Sequence, residues 1–336
     1  MKLVRGLRSL ASQKNSRVSG SKSEALSFRG LGCVATIGNF DGVHLGHKVI
    51  IEQVKDKAKK LGVPSVVVIF EPQPQEYFRK SDAPARLMRF REKLVALREL
   101  DIDYLVCLTF NDELHEMPAH QFIEQVLVSG LQIKHLVVGD DFRFGCDRAG
   151  DFALLSETGK LLEQQQKGFS VENTRTVALE GDRVSSTRVR NALDENQFAL
   201  AGRLLGHPYT ITGCVVHGQK LGRQLGVPTA NVSLGRKVLV LKGVYAVEAT
   251  LESGECLQGV ANIGIRPTVD GVKPSLEVHL FGFEGSIYGQ HLSVVFKHKV
   301  RDEQKFSDIE RLKEQIFKDI EETKTYFDTL SNTGNK

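Results

Sequence analysis

Between residues 33 and 138 the chain repeats one pattern: a short β-branched run, a turn, then a stretch with helical apolar spacing. The runs are Val34–Ile37, Val66–Phe70, Tyr104–Leu108 and Leu136–Val138, and the helical stretches lie near His47–Leu61, Phe90–Leu100 and Ala119–Val128. Unbroken apolar runs suit strands buried on both faces, and helices between them supply the crossovers that parallel strands need. The pattern predicts a doubly wound, Rossmann-like α/β domain whose ligands bind at the carboxyl ends of the strands. A first strand is expected within Lys2–Leu7, followed by a polar loop over 11–27.

Three marked loops follow strand ends and are therefore expected to face one crevice: 38–47, 71–74 and 139–145. The first reads Gly38-Asn39-Phe40-Asp41-Gly42-Val43-His44-Leu45-Gly46-His47. A glycine-rich turn opening a helix is a place for polyphosphate, because free backbone N–H groups and the positive end of the helix dipole favour anions. His44 and His47, three apart, add two donors on one face of the first turn, and Gly46 leaves room for a nucleotide against the backbone. Two histidines at a helix start also occur as solvated surface residues. A metal site is disfavoured, because no cysteine or acidic cluster stands nearby at ligand spacing. In the loop after the fourth run, Asp140 and Asp141 precede Phe142-Arg143-Phe144-Gly145. The acids suit a ribose, an adenine or a magnesium ion, and the phenylalanines suit a flat ring or the core.

A second signal is Ser185-Ser186-Thr187-Arg188-Val189-Arg190. Hydroxyls at a helix start, with an arginine one turn on, can grip phosphate oxygens or merely cap a helix. The character of the chain then changes, so domains are expected at 1–190 and 191–336. A short amphipathic helix over Asn191–Leu205 is expected to end at Gly206 before Pro208. Beyond it, short strand-like runs separated by glycine turns (209–216, 243–251, 259–263, 276–281, 292–300) predict a small antiparallel β-barrel. A closing helix has Ser307 and Glu310 in capping-box spacing and an apolar stripe of Ile309, Leu312, Ile316 and Ile320.

Within the barrel half, Gly218-Gln219-Lys220-Leu221-Gly222 leads into Pro228-Thr229-Ala230-Asn231. The glycines allow close approach of a phosphate chain, although the spacing is not that of a P-loop. Thr229 offers a hydroxyl and Asn231 a carbonyl oxygen to magnesium. In Leu276-Glu277-Val278-His279-Leu280, alternation puts Glu277 and His279 on one face, where a glutamate can take a proton from a substrate hydroxyl.

Composition narrows the class. A length of 336 residues suggests two domains, and 41% hydrophobic with 26% charged residues is ordinary for a soluble protein. A net charge of +4 suits anionic small molecules and is too small to argue for nucleic acid. No apolar run reaches spanning length, and residues 1–29 lack the apolar core of a secretory signal, so no membrane partner is expected. Five scattered cysteines without a C-x-x-C pair fit reduced thiols in a cytoplasm.

Taken together, TIGNFDGVHLGH (36–47), FEPQP (70–74), REKL (91–94), VGDDFRFG (138–145), SSTRVR (185–190), VVHGQKLGRQLGVPTAN (215–231), GVANIGIRPTV (259–269), LEVHLF (276–281) and RDEQKF (301–306) resemble the bacterial bifunctional riboflavin kinase/FAD synthetase family, in its order and from about residue 30 onward. The resemblance implies an N-terminal FMN adenylyltransferase domain of the nucleotidyltransferase class and a C-terminal riboflavin kinase barrel. It implies that His44 and His47, with Gly38, Asn39, Phe40 and Gly46, meet the ATP phosphates, and that Ser186, Thr187 and Arg190 hold the far ones. In the kinase it implies ATP contacts at Gly218, Lys220 and Gly222, magnesium-ATP at Thr229 and Asn231, and Glu277 as base. Asp141, Asn262, Arg266 and Arg301 fall on the flavin side. Riboflavin, FMN and ATP are the implied substrates, magnesium the implied ion, with no tightly bound organic cofactor and a monomer or weak homo-oligomer. Two departures touch substrate contacts: Gln73 stands where the family often has histidine, and Gly282 and Ser286 where the loop after LEVHLF often has an acid. Two other classes compete, a nucleotidyltransferase with another acceptor and a non-catalytic flavin-binding protein. The whole second half weighs against the first, and the intact His44, His47, Thr229, Asn231 and Glu277 against the second.

Overall fold

The computed structural model describes residues 1–7, 9, 30–139, 141–218, 221–236, 238–268 and 271–333. Its contacts divide the chain into two units: Met1–Pro84 with Lys93–Val184, and Ala85–Glu92 with Ser185–Lys336. The sequence put the change after Arg190. The structure divides after Val184 and draws residues 85–92 into the second unit.

The first unit holds a six-stranded sheet in the order β1-β4-β3-β2-β5-β6, every pair parallel. The strands are β1 (Lys2–Arg5), β2 (Cys33–Ile37), β3 (Ser65–Glu71), β4 (Tyr104–Thr109), β5 (Ile133–Val138) and β6 (Ser170–Asn173). Alternate residues of β2 serve opposite faces. Cys33, Ala35 and Ile37 join the large core with Phe122, Val126 and Leu155. Val34 packs with Val54 and Ala58 of helix α1 (Leu45–Leu61). This is the two-sided burial that the unbroken apolar runs anticipate. Strand order reverses between β2 and β5, so the loops after them open at the switch point where such sheets take ligands. The expected helix over 119–128 begins as an α-turn at Ala119–Gln121 and continues as a π-helix over Phe122–Gly130.

Helix α2 (Phe90–Arg98) straddles the division. Its first three residues and the stretch before them, 85–92, work inside the second unit. Glu92 accepts the Thr212 N–H at 2.9 Å and a Nη2 bond from Arg236 at 2.5 Å. Arg89 donates to the carbonyls of Thr212 and Ser233. The Arg236 side chain is 1% exposed. Truncating one partner of such a buried pair strands the other charge, so Glu92→Ala should cost about 3–5 kcal/mol. A melt that follows the second unit should fall by roughly 10 °C; an unchanged melt would contradict this.

After α3 (Phe152–Leu161), a small hairpin of β7 (Ala178–Leu179) and β8 (Asp182–Arg183) closes the first unit. The second opens with two helices where the sequence suggests one: α4 (Ser186–Asp194) and α5 (Phe198–Leu205). The break is local, since Asn196 has φ 58°, a conformation that no helix continues. Gly206 ends α5 in the left-handed region, as expected.

Six antiparallel strands then close a barrel in the order β10-β13-β12-β11-β14-β9. They are β9 (Thr210–Val216), β10 (Ala230–Ser233), β11 (Gly243–Thr250), β12 (Cys256–Thr268), β13 (Gly271–Leu280) and β14 (His291–Arg301). Helix α6 (Ile309–Thr333) packs Ile316 and Ile320 against Val244 and Val260 of the barrel. Its cap is Asp308, whose Oδ1 accepts the Arg311 N–H at 2.8 Å, rather than the expected Ser307. Ser307 instead donates its hydroxyl to Asp308 at 2.8 Å.

All five cysteines are free, and burial pushes the Cys33 thiol up to about 12.

Candidate functional site

In the first unit the histidine pair sits where β2 turns into α1. His44 caps the helix, and its Nδ1 accepts the His47 backbone N–H at 3.4 Å, a long contact. The two rings stack with centroids 3.6 Å apart and planes at 18°, and Phe40 lies 4.8 Å from His47. Two non-glycine residues in the left-handed region shape this loop, Phe40 at φ 47° and Val43 at φ 42°. Such conformations cost on the order of 1–3 kcal/mol each and persist where packing holds them. Phe40, Asp41, Val43 and His44 are all buried.

At Gly46 the missing side chain also makes room for the chain itself. A Cβ there would stand 3.2 Å from the His44 ring and 3.4 Å from the Val184 carbonyl oxygen. The space beside it belongs to His44, so the glycine serves the histidine stack. Burial, then the nearby His44 and Lys93, hold the His47 imidazole well below its ordinary 6.5. His47 is therefore neutral near pH 7 and offers a ring dipole. Its Nδ1 is enclosed without a hydrogen-bond partner.

At the end of β3, Gln73 caps Pro74–Arg79, is 5% exposed, and has an enclosed, unpartnered Nε2. After β5, Asp141 is exposed, 3.6 Å from Arg183. Phe144 belongs to the core, with Phe142 and Phe122 rings 5.6 and 5.4 Å away. Asp140 lies outside the described residues. Ser185 caps α4 by accepting the Arg188 N–H at 3.2 Å, which puts Ser186 and Thr187 in its first turn. Arg190 Nε donates to the Ala85 carbonyl at 2.7 Å. These residues fall in the second unit.

Sequence reasoning gave no role to Lys93. Fully buried, it donates its Nζ to the Asn39 carbonyl at 2.6 Å. A lysine between Phe90 and Leu97 on the apolar stripe of α2 was the available signal.

The second site is set by barrel register. Arg301 pairs with Val244, Val244 with Asn262, Asn262 with Glu277, and Glu277 with Asn231. Five strands thus place these residues in one cross-strand row. The expected alternation holds: Leu276, Val278 and Leu280 are buried while Glu277 and His279 are partly exposed. A cavity of about 570 Å³ runs along the row, lined by Thr229, Asn262, Glu277, His279, Arg301 and the α6 side chains Leu312 and Ile316, among others. His279 Nδ1 lies 2.8 Å from the Pro228 carbonyl.

The segment read as a glycine loop contains a short helical turn, Leu221–Gln224, and the strand β10, which carries Asn231. Its glycines are needed by the chain itself. A Cβ at Gly218 would stand 2.4 Å from the Asn231 amide, and one at Gly222 2.4 Å from the Val227 carbonyl. Lys220 and the Arg266 side chain lie outside the described residues.

Arg301 is committed to Asp319 of α6 through two bonds of 2.7 Å. Asp319 also accepts from Gln315 at 2.9 Å. The pair pins the helix that walls the cavity. Asp319→Ala should cost about 3 kcal/mol and weaken whatever the cavity binds; a variant with wild-type melting would sink that role.

Known proteins resemble each half. A family model described as FAD synthetase matches residues 29–188, and one described as riboflavin kinase matches 205–327. The bifunctional riboflavin kinase/FMN adenylyltransferase of Pseudomonas fluorescens is 50% identical over 321 residues, 95% of this chain and 96% of that protein. The protein of the same name from Escherichia coli K12 is 45% identical over 327 residues, 97% and 98% of the two. A crystal structure described as a macrolide-efflux protein from Streptococcus pneumoniae matches with a TM-score of 0.70 and 28% identity, covering 95% of this chain and 97% of that one. Among the described residues, no helix is long and apolar enough to cross a membrane.

Proposed function

The chain belongs to the bifunctional riboflavin kinase/FMN adenylyltransferase family, and on that basis we propose which of its residues carry each reaction. The protein phosphorylates riboflavin to FMN with its C-terminal half and adenylylates FMN to FAD with its N-terminal half. The observation that carries the residue assignment is the cross-strand row in which Glu277, Asn262 and Arg301 line one cavity and Asn231 stands next to Glu277 in register.

In the kinase, Glu277 takes the proton of the terminal ribityl hydroxyl. The oxygen bonds to the γ-phosphorus of ATP, the bond to the β-bridging oxygen breaks, and ADP leaves. Asn231 and Asn262, flanking Glu277 in register, orient the hydroxyl and the phosphate. The apolar wall of Val244, Val260, Leu312 and Ile316 suits a flavin ring and excludes water. Magnesium enters with ATP. The Thr229 hydroxyl and the Asn231 amide oxygen are hard donors that fit an ion held mainly by phosphates, and among the described residues there is no cluster of three His, Cys, Asp or Glu to cage one. Bound there, the ion would neutralise charge on the transferring phosphoryl group.

In the adenylyltransferase, an FMN phosphate oxygen bonds to the α-phosphorus of ATP and pyrophosphate leaves. A phosphate monoester with a second pKa of about 6 is already ionised, so no general base is needed. His44, His47 and the N–H groups opening α1 meet the charge that develops. Asp141 contacts the flavin side. The protein acts in the cytoplasm, in keeping with its free thiols.

The test is to incubate the full chain with riboflavin, ATP and magnesium and separate the flavins by chromatography. FMN followed by FAD is expected. FMN alone would overturn the N-terminal assignment, and riboflavin alone the kinase assignment.

A further inference from the structure

The loop that carries the histidine pair rests on a charge its own motif does not contain. Lys93 is 0% exposed, and its ammonium bonds the Asn39 carbonyl at 2.6 Å. It lies close enough to His47, and to Cys107 of β4, to act on both electrostatically. Burying an ammonium costs several kcal/mol, and a methionine would continue the apolar stripe of Phe90 and Leu97 without that cost.

The hydrogen bond has a directional consequence. The Asn39 C=O and the Phe40 N–H belong to one planar peptide unit, and in a trans peptide they point to opposite sides. With the carbonyl turned inward onto Lys93, the Phe40 N–H is turned away from it. The next residues curl the backbone, with Phe40 at φ 47°, Gly42 at φ 85° and Val43 at φ 42°. Positive-φ residues of this kind draw successive N–H groups into an anion-binding concavity. The His44–His47 stack begins directly after it.

We propose that Lys93 is a positioning residue for adenylyl transfer: its ammonium fixes the Asn39–Phe40 peptide so that the Phe40 N–H faces the ATP phosphates, and sets a buried positive charge behind the histidine pair. This rests on the assignment of the 38–47 loop to ATP. The ionisable groups on which its charge is seen to act include His47 on the first turn of α1 and Cys107 on β4. The role is distinct from that of the histidines, because Lys93 touches the backbone of the loop and reaches ATP only through it.

The test uses the full chain, whose kinase reaction serves as a control for folding. Lys93→Met should raise the ATP KM of FMN adenylylation roughly tenfold or more, as expected for loss of one preorganised donor and a buried charge. Riboflavin phosphorylation should stay within about twofold, because the second unit has its own ATP site. Lys93→Arg keeps the charge and a donor and should recover most of the loss. Wild-type adenylylation kinetics in Lys93→Met would overturn the proposal. A second measurement needs no variant. The wild-type protein, labelled with ¹⁵N-phenylalanine, is titrated with magnesium pyrophosphate, and the Phe40 amide should show a saturable shift. A Phe40 amide that stays put while pyrophosphate binds would overturn the proposal even if Lys93→Met fails to fold. If the wild-type protein makes no FAD from FMN and ATP, the assignment of the loop fails instead.

Discussion

Replacing Glu277 with glutamine should lower riboflavin phosphorylation roughly 10²–10⁴-fold, the usual contribution of a positioned general base. The substitution keeps size and hydrogen bonding and removes only the ability to accept a proton. Glu277 pairs in register with Asn231 on one side and Asn262 on the other, so the barrel strands that hold it should be undisturbed. ATP binding should therefore survive, and the loss should appear in kcat. Adenylylation of supplied FMN should be unchanged, because it runs in the other unit. A Glu277→Gln enzyme with full kinase turnover would show that phosphoryl transfer here proceeds on alignment and charge neutralisation alone.

His47→Ala should have the mirror effect, lowering FAD formation from FMN roughly 10²–10³-fold, the scale seen when one preorganised donor to developing charge is lost. FMN formation from riboflavin should continue. The ring does two things at once. It supplies a neutral dipole at the start of α1, and it is stacked on His44 at 3.6 Å with the tilted Phe40 ring 4.8 Å away. His47→Asn, which returns a donor without the ring, separates these contributions. If asparagine restores little, the stack matters more than the N–H. A variant that keeps wild-type FAD synthesis would remove His47 from the site.

The parallel strands were legible because their residues say the same thing locally and globally. Val34–Ile37 and Val66–Phe70 are apolar on both faces and are buried on both faces. Strand β6, Ser-Val-Glu-Asn, is a polar edge and carries no such signal. Alternation placed Glu277 and His279 together, and Asn231 stood out as a magnesium donor, yet its place on a strand was hidden in a stretch whose glycines and proline speak for a loop. Its place beside Glu277 depends on barrel register, which is a property of six strands closing on one another. The break at Asn196 was invisible to apolar spacing, since Ala192, Leu193, Ala201 and Leu204 keep helical periodicity across it. The allegiance of residues 85–92 was equally hidden. It rests on Arg89 and Glu92 meeting Thr212, Ser233 and Arg236, more than a hundred residues away in the chain.

That last contact bears on how the two activities can be taken apart. The second unit is assembled from two stretches of polypeptide, one of which is enclosed in sequence by the first. A gene cut once between the halves, at any position, leaves the barrel without Arg89 and Glu92 and leaves Arg236 buried without its carboxylate. A free-standing kinase made from this chain would need residues 85–92 grafted back or Arg236 replaced along with them. The same holds for shuffling with a relative, because the halves exchange cleanly only if the short insert travels with the barrel it completes.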